Sequence, residues 1–291
     1  MSIRTTSKNL IIGSVFSTIF AASGAHAQLT GFAAETYEGL PIADGGTAFS
    51  DLGWQVGASE FDGVGTYPGT FIQFYGLFAA PNHDFGFSSV ATGDATAGGV
   101  GTQYLNMYSD YNNSAIHGSS PKVVHSLLLK EYDIVAADIG KTVTLNFDAK
   151  RADFDDDGLG GDNSATVGNN CTLPCTAGAF IKTLDPANGF SETNGDRLDT
   201  TAISQATWTA GSVTIELTDP LLVGQKLQLG FENYSSNYEN SGVYYDNVEF
   251  VVSGSPAPTP TVIVPIPAFA IAGFALLLGF AGVSTIRKRL K

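Results

Sequence analysis

From Lys141 to Lys150 the chain reads KTVTLNFDAK, and its side chains alternate without a break. Val143, Leu145, Phe147 and Ala149 fall on one side, and Thr142, Thr144, Asn146 and Asp148 on the other. A period of two sends successive side chains to opposite faces of an extended strand, so this segment can bury one face and wet the other only within a β-sheet. The pattern recurs at Ser212–Leu217 (Val213, Ile215 and Leu217 inward), at Gln225–Glu232 (Leu227, Leu229 and Phe231 inward) and at Tyr244–Val252. Further strands are predicted at Thr70–Phe78, Gln103–Tyr108, Lys122–Tyr132 and Gly178–Leu184, and one helical turn at Val135–Ile139. Gly, Asn, Asp and Pro separate the runs, and helical periodicity is almost absent. About ten strands, joined by loops of unequal length and lacking the repeat a propeller needs, predict an all-β, two-sheet β-sandwich of jelly-roll type.

The two ends read differently. Arg4 and Lys8 precede an apolar run from Leu10 to Ala22, and Ala25-His26-Ala27 offers a small-x-small cleavage site, so residues 1–27 are predicted as a signal peptide with Gln28 as the mature start. Residues 265–291 are apolar from Ala268 to Ile286 and close on Arg287, Lys288, Arg289 and Lys291. At ~1.5 Å per residue that run matches the ~30 Å hydrocarbon core, which predicts one C-terminal transmembrane helix with its basic end on the cytoplasmic side. Between the sandwich at 28–252 and this helix, residues 253–264 (SGSPAPTPTVIV) are predicted as an extended Pro-rich linker. The domain is therefore expected outside the cytoplasm, at the periplasmic face of the inner membrane or at the cell surface.

Six of the 14 Lys and Arg lie in the end segments, leaving eight against 28 carboxylates and a formal charge of −20 on the exported domain. Such a surface repels nucleic acid and favours divalent cations. The two cysteines, Cys171 and Cys175, are an even pair in an exported chain and are expected to close a small disulfide loop.

Glu35-Thr36-Tyr37-Glu38-Gly39, Trp54, the TVTLNFDAKR strand and Tyr245-Asp246-Asn247-Val248 together resemble the galactose-binding-like jelly rolls that include many carbohydrate-binding modules. In that family the early acidic segment and the late Asp-Asn-Val segment often meet around a structural calcium, so the resemblance implies Glu35, Glu38 and Asp246 as its ligands. Independently, Asp246 shares its period-two face with Val248, Phe250 and Val252, and a carboxylate turned toward a core needs a cation, a metal or a proton. The alternative is an Asp at a strand end that caps a turn. The tail, with Pro265-Ile266-Pro267 where a Pro-Glu-Pro triplet is usual, resembles the PEP-CTERM sorting signals of exosortase systems and implies a sorting protease as a partner.

A second acidic feature is Asp153-Phe-Asp155-Asp156-Asp157-Gly158, which reproduces the opening of a calcium loop. Ser164 stands where the closing Glu of an EF-hand would be, so Asp153, Asp155 and Asp157 are read either as a solvated loop or as a weak calcium site. No nucleophile elbow, zincin, P-loop or dinucleotide fingerprint is present, and the three histidines of the domain, His83, His117 and His125, are far apart in sequence. These observations favour a non-catalytic protein.

For binding, two segments interleave tyrosine with amides and carboxylates: Tyr108, Asp110, Tyr111 and Asn112 in the first, and Glu232, Asn233, Tyr234 and Tyr238 in the second. Aromatic faces suit the C–H face of a sugar and Asn, Asp and Glu suit its hydroxyls, with Trp54, Tyr67 and Tyr75 as extensions of the surface. The same residue types also make good turns and strand edges. The expected function is thus an envelope-associated module that binds polysaccharide or exopolysaccharide, with calcium as a structural ion. The alternatives are a structural protein of an extracellular matrix or biofilm, and a polysaccharide hydrolase or lyase.

Overall fold

A computed structural model describes residues 28–82, 87–92, 101–109, 122–151, 176–235 and 242–254. In chain order the strands are β1 (Phe32–Glu35), β2 (Gln55–Phe61), β3 (Phe71–Ala79), β4 (Ser88–Thr92), β5 (Gln103–Met107), β6 (Val123–Asp133), β7 (Thr142–Arg151), β8 (Thr176–Asp185), β9 (Ser191–Asp199), β10 (Thr209–Glu216), β11 (Lys226–Ser235) and β12 (Val243–Ser253). They form two six-stranded antiparallel sheets. The first runs β10-β7-β12-β5-β4, with β1 also paired to β12, and the second runs β3-β2-β6-β11-β8-β9. The predicted turn at Val135–Ile139 is a 3₁₀ helix over Ala136–Asp138.

Alternation builds the core as expected. Val143, Leu145, Phe147 and Ala149 of β7 pack against Leu227, Leu229 and Phe231 of β11, all of them buried. Fully burying such side chains contributes about 1.5–3 kcal/mol each, which makes this seam between the sheets the main source of stability. Phe231 sits at its centre, stacked on Tyr245 at 3.7 Å and edge-on to Phe147 at 5.5 Å.

The last strand departs from a simple period. Asp246 lies opposite Asp148, but Glu249 lies opposite Asn146, so three steps on β12 match two on β7 and one extra residue is accommodated at Asn247, whose φ is 50°. Asn tolerates this left-handed conformation better than most residues. Ahead of the bulge β12 pairs with β5, and beyond it with β1. The bulge also shifts the parity of the strand, since Tyr245 before it and Val248 and Phe250 after it all enter the core. The premise that Asp246 shares a face with Val248 and Phe250 is therefore wrong; Asp246 is buried at the bulge itself.

Near the start of the described chain, the Asp138 carboxylate accepts from the Leu29 N–H at 2.9 Å and the Val135 N–H at 2.9 Å, while Lys141 Nζ donates to Asp138 at 2.8 Å and to the Leu29 carbonyl at 3.2 Å. This buried pair ties the first residues to the turn before β7. Among the described residues no helix is long and apolar enough to cross a membrane. The predicted signal peptide 1–27, the linker beyond Gly254 and the helical segment 265–291 lie outside the described residues.

Candidate ligand-binding face

Because Leu227, Leu229 and Phe231 of β11 face the core, the intervening Glu232 and Tyr234 face outward. Directly opposite Tyr234 in the ladder is His125 of β6, and on its other side is Thr176 of β8. The His125 and Tyr234 rings stack with centroids 3.9 Å apart and planes 3° from parallel. Phe61 and Tyr67 each stand 6.3 Å from the Tyr234 ring, and Phe61 meets Phe71 edge-on at 5.8 Å, so an aromatic shelf runs from β11 across β6 to β2 and β3.

Charge and hydrogen-bonding groups adjoin that shelf. His125 Nε2 lies 3.1 Å from a Glu232 oxygen, Arg197 of β9 approaches the other Glu232 oxygen at 3.5 Å, and Arg197 forms a two-pronged pair with Glu192 at 2.8 and 2.6 Å. Burial, reinforced by Lys182 and Arg197, lowers the pKa of His125 against the pull of Glu232, which keeps the imidazole neutral at pH 7 with its Nε2–H donating to the carboxylate. Burial alone would raise the Glu232 carboxyl, but the His125 hydrogen bond and the nearby cations outweigh it and hold Glu232 ionised below the usual range. Burial pushes the Tyr67 hydroxyl up to about 12, so it is a neutral hydrogen-bonding group.

Beside Tyr234 opens a cleft of about 180 Å³ lined by Thr176, Ala177, Gly178, Arg197, Leu198, Asp199, Glu232 and Tyr234. Gly178 keeps it open, because a Cβ there would stand 3.0 Å from the Leu198 carbonyl oxygen and 3.9 Å from Glu232 Cγ. The volume is below the ~300–1,000 Å³ of a pocket that encloses a drug-sized ligand.

Of the residues expected to bind, Glu232 and Tyr234 are on this face. Trp54 is not: it is wholly buried, 6.1 Å from Phe231 and 6.4 Å from Phe32, because an indole at the sheet interface fills core volume that no smaller ring would. Tyr108 and Asn233 are also buried, their carbonyls both accepting from the Ser126 hydroxyl at 2.7 and 3.3 Å. Tyr75 donates to Glu60 at 2.9 Å on the edge of the same sheet. Asp110, Tyr111, Asn112 and Tyr238 lie outside the described residues, as do Cys171, Cys175 and the acidic loop Asp153, Asp155 and Asp157.

The three carboxylates implied as calcium ligands are held by other partners, and among the described residues no group of three His, Cys, Asp or Glu side chains could hold a metal ion. Glu35 accepts from the Trp54 indole N–H at 2.7 Å and pairs with Lys130 Nζ at 2.5 Å, and that ammonium also lies 3.9 Å from the Phe32 ring centroid. Glu38 accepts the backbone N–H groups of Thr102 and Gln103 at 2.7 Å each. Asp246 accepts the N–H of Asn247 at 2.8 Å, as a bulge carboxylate would. Sequence reading saw His125 only as one of three histidines far apart in the chain and did not single out Arg197 or Gly178; these three come together only through strand pairing.

No protein-family model matches the sequence, and no curated protein matches it. Among solved structures the chain is similar to the Stig cyclase Fisc from Fischerella sp. TAU, at 16% identity and a TM-score of 0.38 over 78% of this chain and 100% of the cyclase. It is also similar to the enzymatically active domain of tailspike protein 4 of bacteriophage CBA120, at 11% identity and a TM-score of 0.38 over 73% of this chain. The chain spans only 21% of that tailspike domain. A third similar structure is TmCBM61 in complex with β-1,4-galactotriose, at 9% identity and a TM-score of 0.30 over 58% of this chain and 83% of the module.

Proposed function

We propose that this chain is an exported, non-catalytic module that binds a neutral polysaccharide along the outer face of the second sheet. The observation that carries the reading is the pairing of a rigid aromatic shelf, with Tyr234 stacked on His125 at 3.9 Å, and an adjoining cleft whose walls offer the Glu232 carboxylate, the Arg197 guanidinium and the Thr176 hydroxyl. Rings held in place lose little entropy when a sugar face settles on them, and the charged groups supply strong, directional hydrogen bonds to hydroxyls. Lys182 and Arg197 balance Glu192 and Glu232 locally, whereas the domain as a whole is strongly acidic. That arrangement favours an uncharged polymer over a polyanion. Glu232, held ionised, lacks the raised pKa that a glycosidase's general acid needs.

The test is electrophoresis of the full chain through gels containing neutral or acidic polysaccharides. Retardation is expected on at least one neutral glycan, and Tyr234→Ala should weaken it about tenfold, the equivalent of losing ~1.4 kcal/mol of stacking. Tyr234→Phe should retain it. No retardation by any glycan, or retardation indifferent to Tyr234→Ala, would overturn the proposal.

A further inference from the structure

The second sheet ends in two unlike edges. β9 carries Glu192, Asp196, Arg197 and Asp199, the kind of charge that discourages a further strand from adding on. β3 at the other edge reads FIQFYGLFA, with no Lys, Arg, Asp, Glu or Pro in nine residues, and among the described strands it pairs only with β2. Its large side chains are open to solvent: Phe71 is 55% exposed, Ile72 45%, Phe74 41% and Phe78 56%. Phe78 pairs in the ladder with Val56, whose own side chain is in the core, so β3 overhangs the sandwich and leaves apolar surface on the side that should face inward. Single exposed apolar residues are ordinary; four on one uncharged edge strand are not.

We infer that β3 is an interface to a second copy of this chain, the two β3 strands pairing antiparallel about a twofold axis and joining two six-stranded sheets into one of twelve. A twofold contact brings the same patch to itself, which requires that the patch carry no charge to repel its own image, and β3 meets that condition on a molecule with a net charge of −14. Phe and similar side chains have ~150–250 Å² each to bury, so four that are about half exposed offer roughly 400 Å² per copy. With the strand backbones included, a twofold pair covers about 1,000 Å², the lower bound for a specific interface. The ladder adds about four main-chain hydrogen bonds from the regular stretches of β3, which lie on either side of the two bulges that its register with β2 shows near Ile72 and near Tyr75 and Gly76.

The test is sedimentation equilibrium of the full chain between about 1 and 100 μM, where interfaces of this size commonly form. A dimer is expected, strengthened by salt because screening relieves the repulsion between two acidic bodies. The double variant Phe74→Glu/Phe78→Glu places like charges across the axis and should be monomeric, folded, and with a melting temperature that no longer rises with protein concentration as the wild type's does, whereas Phe74→Leu/Phe78→Leu should still dimerise. A wild type that stays monomeric throughout, or a Glu variant that still dimerises, overturns the inference. Hydrogen exchange on the wild type provides a readout independent of any substitution: amides of residues 71–79 should exchange more slowly at high concentration than at low, and concentration-independent exchange there refutes the pairing. Phe71 belongs both to the aromatic shelf and to β3, but the Phe74 and Phe78 variants leave Phe71 and Tyr234 in place, so glycan retention and dimerisation are read separately and either proposal can fail alone.

Discussion

Lys130→Met is the substitution that most directly tests how this sandwich tolerates charge in its interior. Lys130 and Glu35 are almost fully covered, 2.5 Å apart, and the ammonium also faces the Phe32 and Trp54 rings at 3.9 and 4.8 Å. Burial leaves the lysine below its usual pKa even with the carboxylate beside it. Removing one member of a buried pair strands the other and costs about 3–5 kcal/mol. In this pair the Trp54 N–H still satisfies one Glu35 oxygen, and 14% of the Glu35 side chain remains open to solvent, so the lower end applies. At about 3 °C per kcal/mol for a domain of this length, Lys130→Met should lower Tm by roughly 9 °C. In the double variant Glu35→Gln/Lys130→Met no charge is left behind and the amide oxygen can still accept from Trp54, so stability should return to within about 1 kcal/mol of wild type. Calorimetry on the wild type and both variants decides the matter. If Lys130→Met costs less than about 1 kcal/mol, while EDTA alone destabilises the wild type, then a metal rather than Lys130 meets the Glu35 charge and the buried ion pair is refuted as its partner.

Other outcomes follow from individual positions. Gly230 in β11 has φ 153°, and a Cβ there would stand 2.0 Å from the Leu128 carbonyl oxygen, so Gly230→Ala should cost at least about 2 kcal/mol, seen as a lower Tm or loss of soluble protein. His125 and Glu232 both have lowered pKa values in the folded protein, so the unfolded chain binds more protons than the native one as pH falls. Tm should therefore decline on acidification, first through the ordinary histidine range near ~6.5 and then through that of Glu232. His125→Asn should flatten the first part of the decline, and a wild-type Tm that is constant from about pH 7 to 4 would contradict the assignment.

How much of this was legible depends on what each strand faces. β7, β10 and β11 could be read because one face of each lies in the core, and a buried face enforces apolar residues at every second position. β9, with the sequence SETNGDRLD, could not: it is an edge strand wet along most of its length, held by its ladder to β8 rather than by side-chain burial, so no alternation marks it. Trp54 shows the limit for aromatics, since a core indole and a surface indole look alike in sequence. The binding face is less legible still. His125 and Glu232 are 107 residues apart and become neighbours through the β6–β11 register, which no local pattern encodes.

The bulge at Asn247 gives β12 one residue of slack. Excising Asn247 would leave Tyr245 and Val248 facing the core, with the buried Asp246 between them on the opposite face and Glu249 still opposite Asn146, so the strand would lose a bend and keep both faces. Excising Glu249 instead would send Phe250 to the wet side unless the spare residue were drawn in to compensate. A single-codon loss in the second half of this strand is therefore survivable at the expense of the bulge, and a second such loss is not.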